Sequence, residues 1–280
     1  MVKFSGLYRI IRPANFLIIF ATMVVAGVFC TPEDQAYLWD KILTAALAGG
    51  LTAAAGNIIN DYFDIEIDKI NRPGRVLPSG TLSPMEAMTY YLLFSILAVF
   101  TSSFINDYCV YIVIYTLAGM YFYSAKLKGI PLLGNLVIAH YTGLAFIFGG
   151  VAAGDWQFGM IPGIFAFMIN LVREILKDIE DIEGDSAAGI ITYPMKNGIK
   201  KTRSLIFSLT LLLIVMTFIP YRYEIYKIEY FITVMSSVNL ILVWFLKKLF
   251  TGTEKKSLRE MSNLLKIAMV FGLAAVFLGK

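Results

Sequence analysis

An all-α, polytopic membrane protein with nine transmembrane helices is the fold class that this sequence predicts. Three observations predict it. The 280-residue chain is 58% hydrophobic and 16% charged, with a mean hydropathy of +0.70, whereas soluble domains carry about 25% charge. Its apolar residues gather in nine runs near the roughly 20 residues that a span requires. The loops between the runs are short and alternate in basic charge, so one domain over 1–280 is expected.

The runs are 14–30, 40–60, 86–104, 108–124, 132–153, 157–177, 202–220, 228–247 and 262–279. The first is too long for the apolar core of a cleaved signal, and no clear small-residue cleavage site follows it. Leu77-Pro78-Ser79-Gly80 is a turn signal after the second run, and Ser83-Pro84 opens the third. Gly184, Gly189 and Pro194 punctuate the loop after the sixth. Nineteen Lys and Arg fall on the side that holds the N-terminus and the even-to-odd loops, against four on the other. The positive-inside rule makes the basic side cytoplasmic, in a multi-pass protein of the cell membrane. The net charge of +4 follows from these loops and calls for no nucleic-acid partner. Cys30 and Cys109 read as buried small residues, and His140, the only histidine, as a packing residue.

Half of the twenty acids lie in two windows. The first, Asn57 to Arg75, carries Asp61, Asp64, Glu66 and Asp68 at the end of the second run. The second, Arg173 to Asp185, carries Glu174, Asp178, Glu180, Asp181, Glu183 and Asp185 at the end of the sixth. Asn60, Asp64 and Asp68 share one helical face if the helix continues, with Asp61 near that stripe. Glu174, Asp178, Asp181 and Asp185 form a second stripe, which leaves Glu180 and Glu183 solvated. Spans two and six therefore echo each other, which suggests two related four-helix halves plus a ninth helix.

Like charges this dense repel by roughly 4 kcal/mol per pair at 4 Å and an effective dielectric of 20, so something cationic must sit among them. Hard oxygen donors without His or Cys beside them favour Mg²⁺ over a transition metal. The two stripes supply the candidate donors. Pairing with Arg72, Arg75 and Lys177 is the plainer alternative. Arg72, Arg75, Lys126 and Lys128 lie on the same side and suit polyphosphate oxygens. A diphosphate head above an apolar cavity fits a polyprenyl diphosphate.

Asn60-x₃-Asp64-x₃-Asp68, followed by Asn71-Arg72-Pro73-x-Arg75-x-Leu-Pro78-Ser79-Gly80, resembles the first signature of the UbiA-type membrane prenyltransferases. Asp181-x₃-Asp185, within Lys177-Asp178 to Pro194, resembles the second. Tyr123-Ser124-x-Lys126-Leu-Lys128 through Asn135 resembles that family's basic loop, and Arg12-Pro13-x-Asn15 its entry to the first span. Gly74-Arg75-Val76-Leu77 departs from the Arg-Pro of many relatives. The resemblance implies nine helices around a lipid-open cavity and Mg²⁺-dependent prenyl transfer. Asn60, Asp64, Asp68, Asp181 and Asp185 would then hold Mg²⁺, and Asp64, Asp68, Asp181, Asp185 and Lys126 would be catalytic. Arg72, Arg75, Lys126, Lys128, Asp178, Arg12 and Asn15 would hold substrates. The second motif is most similar to the archaeal members that move a geranylgeranyl group from its diphosphate to geranylgeranylglyceryl phosphate, a lipid-like glycerol phosphate acceptor. Arg12, with Asn15 one turn deeper, would meet that acceptor's anion. An aromatic acceptor of quinone or haem synthesis is the alternative within the family. A secondary cation transporter and a non-catalytic lipid-binding scaffold are the alternatives outside it. Transporter acids sit near the bilayer midplane, whereas these lie at span ends.

Overall fold

The computed structural model describes every residue except Met1, 32–34, 188 and 252–253. It leaves aside the side chains of 2–4 and 71, so Lys3 and Asn71 are outside the described ones. The described residues form helices and no strand: α1 (Val2–Ile10), α2 (Pro13–Cys30), α3 (Trp39–Phe63), α4 (Ile65–Asn71), α5 (Pro84–Ser103), α6 (Asp107–Phe122), α7 (Leu133–Ala153), α8 (Gln157–Glu180), α9 (Ile182–Ala187), α10 (Tyr193–Asn197), α11 (Ile199–Met216), α12 (Ile219–Arg222), α13 (Ile228–Thr233), α14 (Asn239–Leu249) and α15 (Lys255–Leu278), with π-helical turns at Tyr123–Leu127 and Val234–Val238. Among them, nine segments are long and apolar enough to cross a membrane, as the sequence predicts. The protein is a multi-pass membrane protein.

The boundaries move where side chains satisfy helix ends. The third span starts at Pro84 because Ser83 and Glu86 form a capping box, with Ser83 N–H donating to Glu86 Oε2 at 2.9 Å and Glu86 N–H to Ser83 Oγ at 3.2 Å. The ninth starts at Lys255 rather than 262, since Lys255–Glu260 is rich in helix formers and buries Leu258.

The chain divides into two compact units. The first holds residues 1–128 and 144–160, and the second holds 129–143 and 161–280. In the first unit α3 is the most buried span, and it packs against α2, α5 and α6. Its run of Ala and Gly permits this, because small residues let helix backbones approach closely in lipid. A Cβ at Gly50 would lie 2.7 Å from the Phe16 ring, and one at Gly49 2.9 Å from Met23 Cγ. Val76, Leu77 and Leu82 of the loop after α4 are buried against Ile10, Ile58 and Ala87. That apolar seat fixes the loop and, with it, Arg72 and Arg75.

The second unit packs α14 against α11 and α15. A buried polar knot ties it: Asn239 Nδ2 donates to Thr217 Oγ1 at 3.0 Å, and Tyr230 donates to the Thr217 carbonyl at 2.9 Å. α7 and α8 approach so closely that a Cβ at Gly143 would meet the Gly163 carbonyl oxygen at 2.6 Å.

Candidate active site

Each acidic motif sits where a span breaks and resumes. α3 stops at Phe63, and Asp64 leaves helical geometry (φ −90°, ψ 4°) before α4 begins. The backbone ladder still runs through the break: Asp64 N–H donates to Asn60 C=O at 3.0 Å and Asp68 N–H to Asp64 C=O at 2.7 Å. The spacing of Asn60, Asp64 and Asp68 on one stripe therefore survives the kink. In the second unit Asp181 separates α8 from α9 in the same way, with Asp181 N–H on Lys177 C=O and Asp185 N–H on Asp181 C=O, both at 2.9 Å.

Asp61, Asp64 and Asp68 are 5%, 9% and 5% exposed. Carboxylates this buried require compensation, and in the first unit protein cations provide it. Arg12 Nη2 lies 2.5 Å from Asp61 Oδ1. Arg75 Nη1 spans Asp61 Oδ1 at 3.1 Å and Asp68 Oδ2 at 2.5 Å. Lys128 Nζ reaches Asp64 Oδ2 at 2.5 Å, and Ser124 Oγ bonds Asn60 Oδ1. The last two contacts depend on the π turn after α6. Its i to i+5 bond, Lys128 N–H to Tyr123 C=O at 2.9 Å, widens the helix by one residue and sets the register of Ser124 and Lys128.

Several bases pair with acids. Arg75 and Lys128, expected on phosphate oxygens, bond carboxylates here, which for Arg75 is the plainer pairing that the sequence also offered. Arg12, expected on an acceptor, does the same, and its Nη1 also reaches Asn57 Oδ1 at 3.4 Å. Lys126 is exposed and makes no side-chain bond among the described residues, and the same holds for Arg72 and Asn15. Asp61 is the hub of the first motif, although the stripe had placed it only near the ligands; its spacing of four from Asn57 was the available signal. Ser124 and Arg9 carried no signal beyond the family pattern and loop charge.

In the second unit Asp178 Oδ2 accepts from Asn135 Nδ2 at 3.0 Å. Glu174 is paired with Arg173 at 2.8 Å and Lys177 at 3.5 Å. Glu180 is not solvated as expected: its side chain is 12% exposed and bonds Arg259 Nε at 3.3 Å, because α15 begins early enough to carry Arg259. Asp181 is exposed and makes no side-chain bond among the described residues, and Asp185 is half-buried. Among the described residues no three Asp, Glu, His or Cys converge as a set able to hold a metal ion. Mg²⁺ does not need such a cage, since it keeps several waters and takes one or two carboxylates plus substrate phosphate. Each motif by itself, Asn60, Asp64 and Asp68 in the first unit and Asp181 and Asp185 in the second, offers hard oxygen donors of the type that Mg²⁺ takes.

The model of the UbiA prenyltransferase family matches residues 16–270. The chain belongs to the UbiA prenyltransferase family. Among members of this family, it is similar to the digeranylgeranylglyceryl phosphate synthase of Methanosphaera stadtmanae, 33% identical over 271 residues that cover 97% of each chain. It is 39% identical over 232 residues to the synthase of that name from Methanosarcina mazei, covering 82% of this chain and 78% of the relative. A solved structure of digeranylgeranylglyceryl phosphate synthase superposes with a TM-score of 0.83 at 32% identity, covering 100% of this chain and 99% of that one. A UbiA homologue from Archaeoglobus fulgidus, solved with DMAPP and Mg²⁺, shares the fold at TM-score 0.68 and 20% identity, covering 97% and 99%.

Proposed function

We propose that this membrane prenyltransferase moves a geranylgeranyl group from its diphosphate to the free hydroxyl of geranylgeranylglyceryl phosphate. The observation that carries it is end-to-end similarity, above 30% identity, to relatives named digeranylgeranylglyceryl phosphate synthase. The paired acidic motifs agree with it. Their position at span ends, and not at mid-span, speaks against a cation transporter. The site faces the cytoplasm of the cell membrane, as the basic loops imply.

Asn60, Asp64 and Asp68 in the first unit, and Asp181 and Asp185 in the second, are proposed as Mg²⁺ ligands, with Asp178 oriented by Asn135. Mg²⁺ supplies charge neutralisation to a departing diphosphate. The chain's own residues do the remaining work. Lys128 and Arg75 hold the buried carboxylates in place until the donor arrives, and both carry donors suited to diphosphate oxygens. Lys126, exposed and without a side-chain partner among the described residues, stabilises the leaving group. The allylic C–O bond breaks, the acceptor hydroxyl oxygen bonds to C1, and its proton leaves to a carboxylate or to the released diphosphate. No protein nucleophile is needed.

Side-by-side turnover by purified protein tests the acceptor. Labelled geranylgeranyl diphosphate is offered with geranylgeranylglyceryl phosphate or with a hydroxylated aromatic acid. Transfer to the glycerol phosphate is expected. Transfer to the aromatic acid alone would refute the lipid assignment and leave the prenyltransferase assignment standing.

A further inference from the structure

The first unit holds a cavity of about 360 Å³ lined by Arg9, Arg12, Arg72, Arg75, Asp61, Gly74 and Val76. That volume is at the small end of small-molecule sites, which span roughly 300–1,000 Å³, and suits a polar headgroup. Four of the lining residues are arginines and one is an aspartate. Two of the four are already used: Arg12 and Arg75 hold Asp61, and Arg75 also holds Asp68. The other two are not. Arg72 makes no side-chain bond among the described residues, and the Arg9 side chain donates only to a neutral carbonyl, Gly74 C=O, at 2.7 Å. Two guanidinium charges are thus uncompensated by any carboxylate among the described residues.

The cavity opens to the surface, with Arg9, Arg72 and Gly74 exposed, but its walls are tied together. Arg12 adopts a left-handed backbone (φ 52°, ψ 74°) between α1 and α2, a conformation that costs a non-glycine residue about 1–2 kcal/mol. Its bonds to Asn57 and Asp61 hold it there. The Arg9–Gly74 bond joins α1 to the loop that carries Arg72 and Arg75.

We propose that this cavity receives the phosphomonoester of the acceptor lipid, with Arg9 and Arg72 as its contacts. The proposal rests on the reading of the chain as a transferase to a glycerol phosphate lipid. Two uncompensated guanidinium groups match a phosphomonoester, which carries close to two negative charges at neutral pH, and their planar forks suit its oxygens. A Mg²⁺–diphosphate fits less well, because four guanidinium charges against a single carboxylate line the cavity and disfavour a dication there. Arg72, assigned from sequence to the diphosphate, belongs to the acceptor on this geometry.

Steady-state kinetics of Arg9→Gln and Arg72→Gln test it, with donor and acceptor varied in turn. Each variant is expected to raise the acceptor KM roughly tenfold, the loss of one charge-assisted contact. Donor KM and half-saturating Mg²⁺ should stay at wild-type values. With geranylgeranylglycerol, which lacks the phosphate, wild type and variants should turn over equally slowly. Glycerol phosphate and inorganic phosphate, added singly to wild type, should compete with the acceptor and not with the donor. Arg9→Lys should recover part of the affinity. A raised donor KM with an unchanged acceptor KM would overturn the proposal, as would competition of both soluble phosphates with the donor alone. Wild-type transfer with unchanged variant KM values removes the cavity assignment and leaves the reaction; absence of any transfer to the phosphate acceptor removes the reaction itself.

Discussion

At the scale of single residues, the first motif is an electrostatic lattice in which each buried carboxylate has a named cation. Arg75 carries most of it, since one nitrogen serves both Asp61 and Asp68. Arg75→Ala leaves Asp68 without its cation and Asp61 with only Arg12. The cost should fall at the low end of the roughly 3–5 kcal/mol for breaking a buried pair, because 23% of the Arg75 side chain is exposed. Thermal unfolding in detergent should show a Tm several degrees lower. Arg72→Ala, which removes no side-chain bond among the described residues, should leave Tm unchanged. Equal Tm values for both variants would show that Arg75 does not hold the motif together. The acids themselves were legible from spacing, because i, i+4 periodicity carries through the kink at Asp64. Of their partners only Arg75 was, as the plainer pairing. Which of several nearby bases meets which acid depends on loop path, and Arg12 and Lys128 lie 49 and 64 residues from the acids they bond.

At the scale of elements, length and hydropathy located all nine spans, while their ends depended on local chemistry. The Ser83–Glu86 box and the early start of α15 moved two boundaries. The π turn at Tyr123–Leu127 was not legible, since nothing in Tyr-Ser-Ala-Lys-Leu marks an i to i+5 bond. It matters because it sets Ser124 and Lys128 against Asn60 and Asp64. The close approach of α2 and α3 was also hidden, for alanine and glycine runs state what is permitted and not which ring fills the space. Gly50→Val should force the Phe16 ring aside, an overpacking cost of about 1–3 kcal/mol, and lower the Tm. Gly272→Ala in α15, where a Cβ meets nothing within 4 Å, serves as the control and should hold or raise it. A Gly50→Val protein as stable as the control would mean that α2 and α3 are not in tight contact there.

For the whole molecule, we propose that alternating loop charge orients the chain with the basic side in the cytoplasm. Cys30 and Cys109 are both buried, so an introduced cysteine gives a clean signal. Lys256→Cys should react only when a thiol reagent can enter the cell, whereas Tyr223→Cys, at a position 72% exposed, should react with an impermeant reagent outside. The reverse pattern would invert the topology. Family membership was legible because two acidic motifs with fixed spacing and flanks are specific. The acceptor was legible only through the resemblance of the second motif and its flanks, since the sequence marks no acceptor pocket, and the proposed contact Arg9 reads only as loop charge.

The most direct test of the account is transfer of label from geranylgeranyl diphosphate to geranylgeranylglyceryl phosphate by purified wild type, Asp64→Ala and Asp181→Ala, each with Mg²⁺ and with excess chelator. The account predicts product from wild type with Mg²⁺, and almost none with chelator or from either folded variant. Wild-type turnover in the presence of chelator, or full activity in both variants, would contradict it.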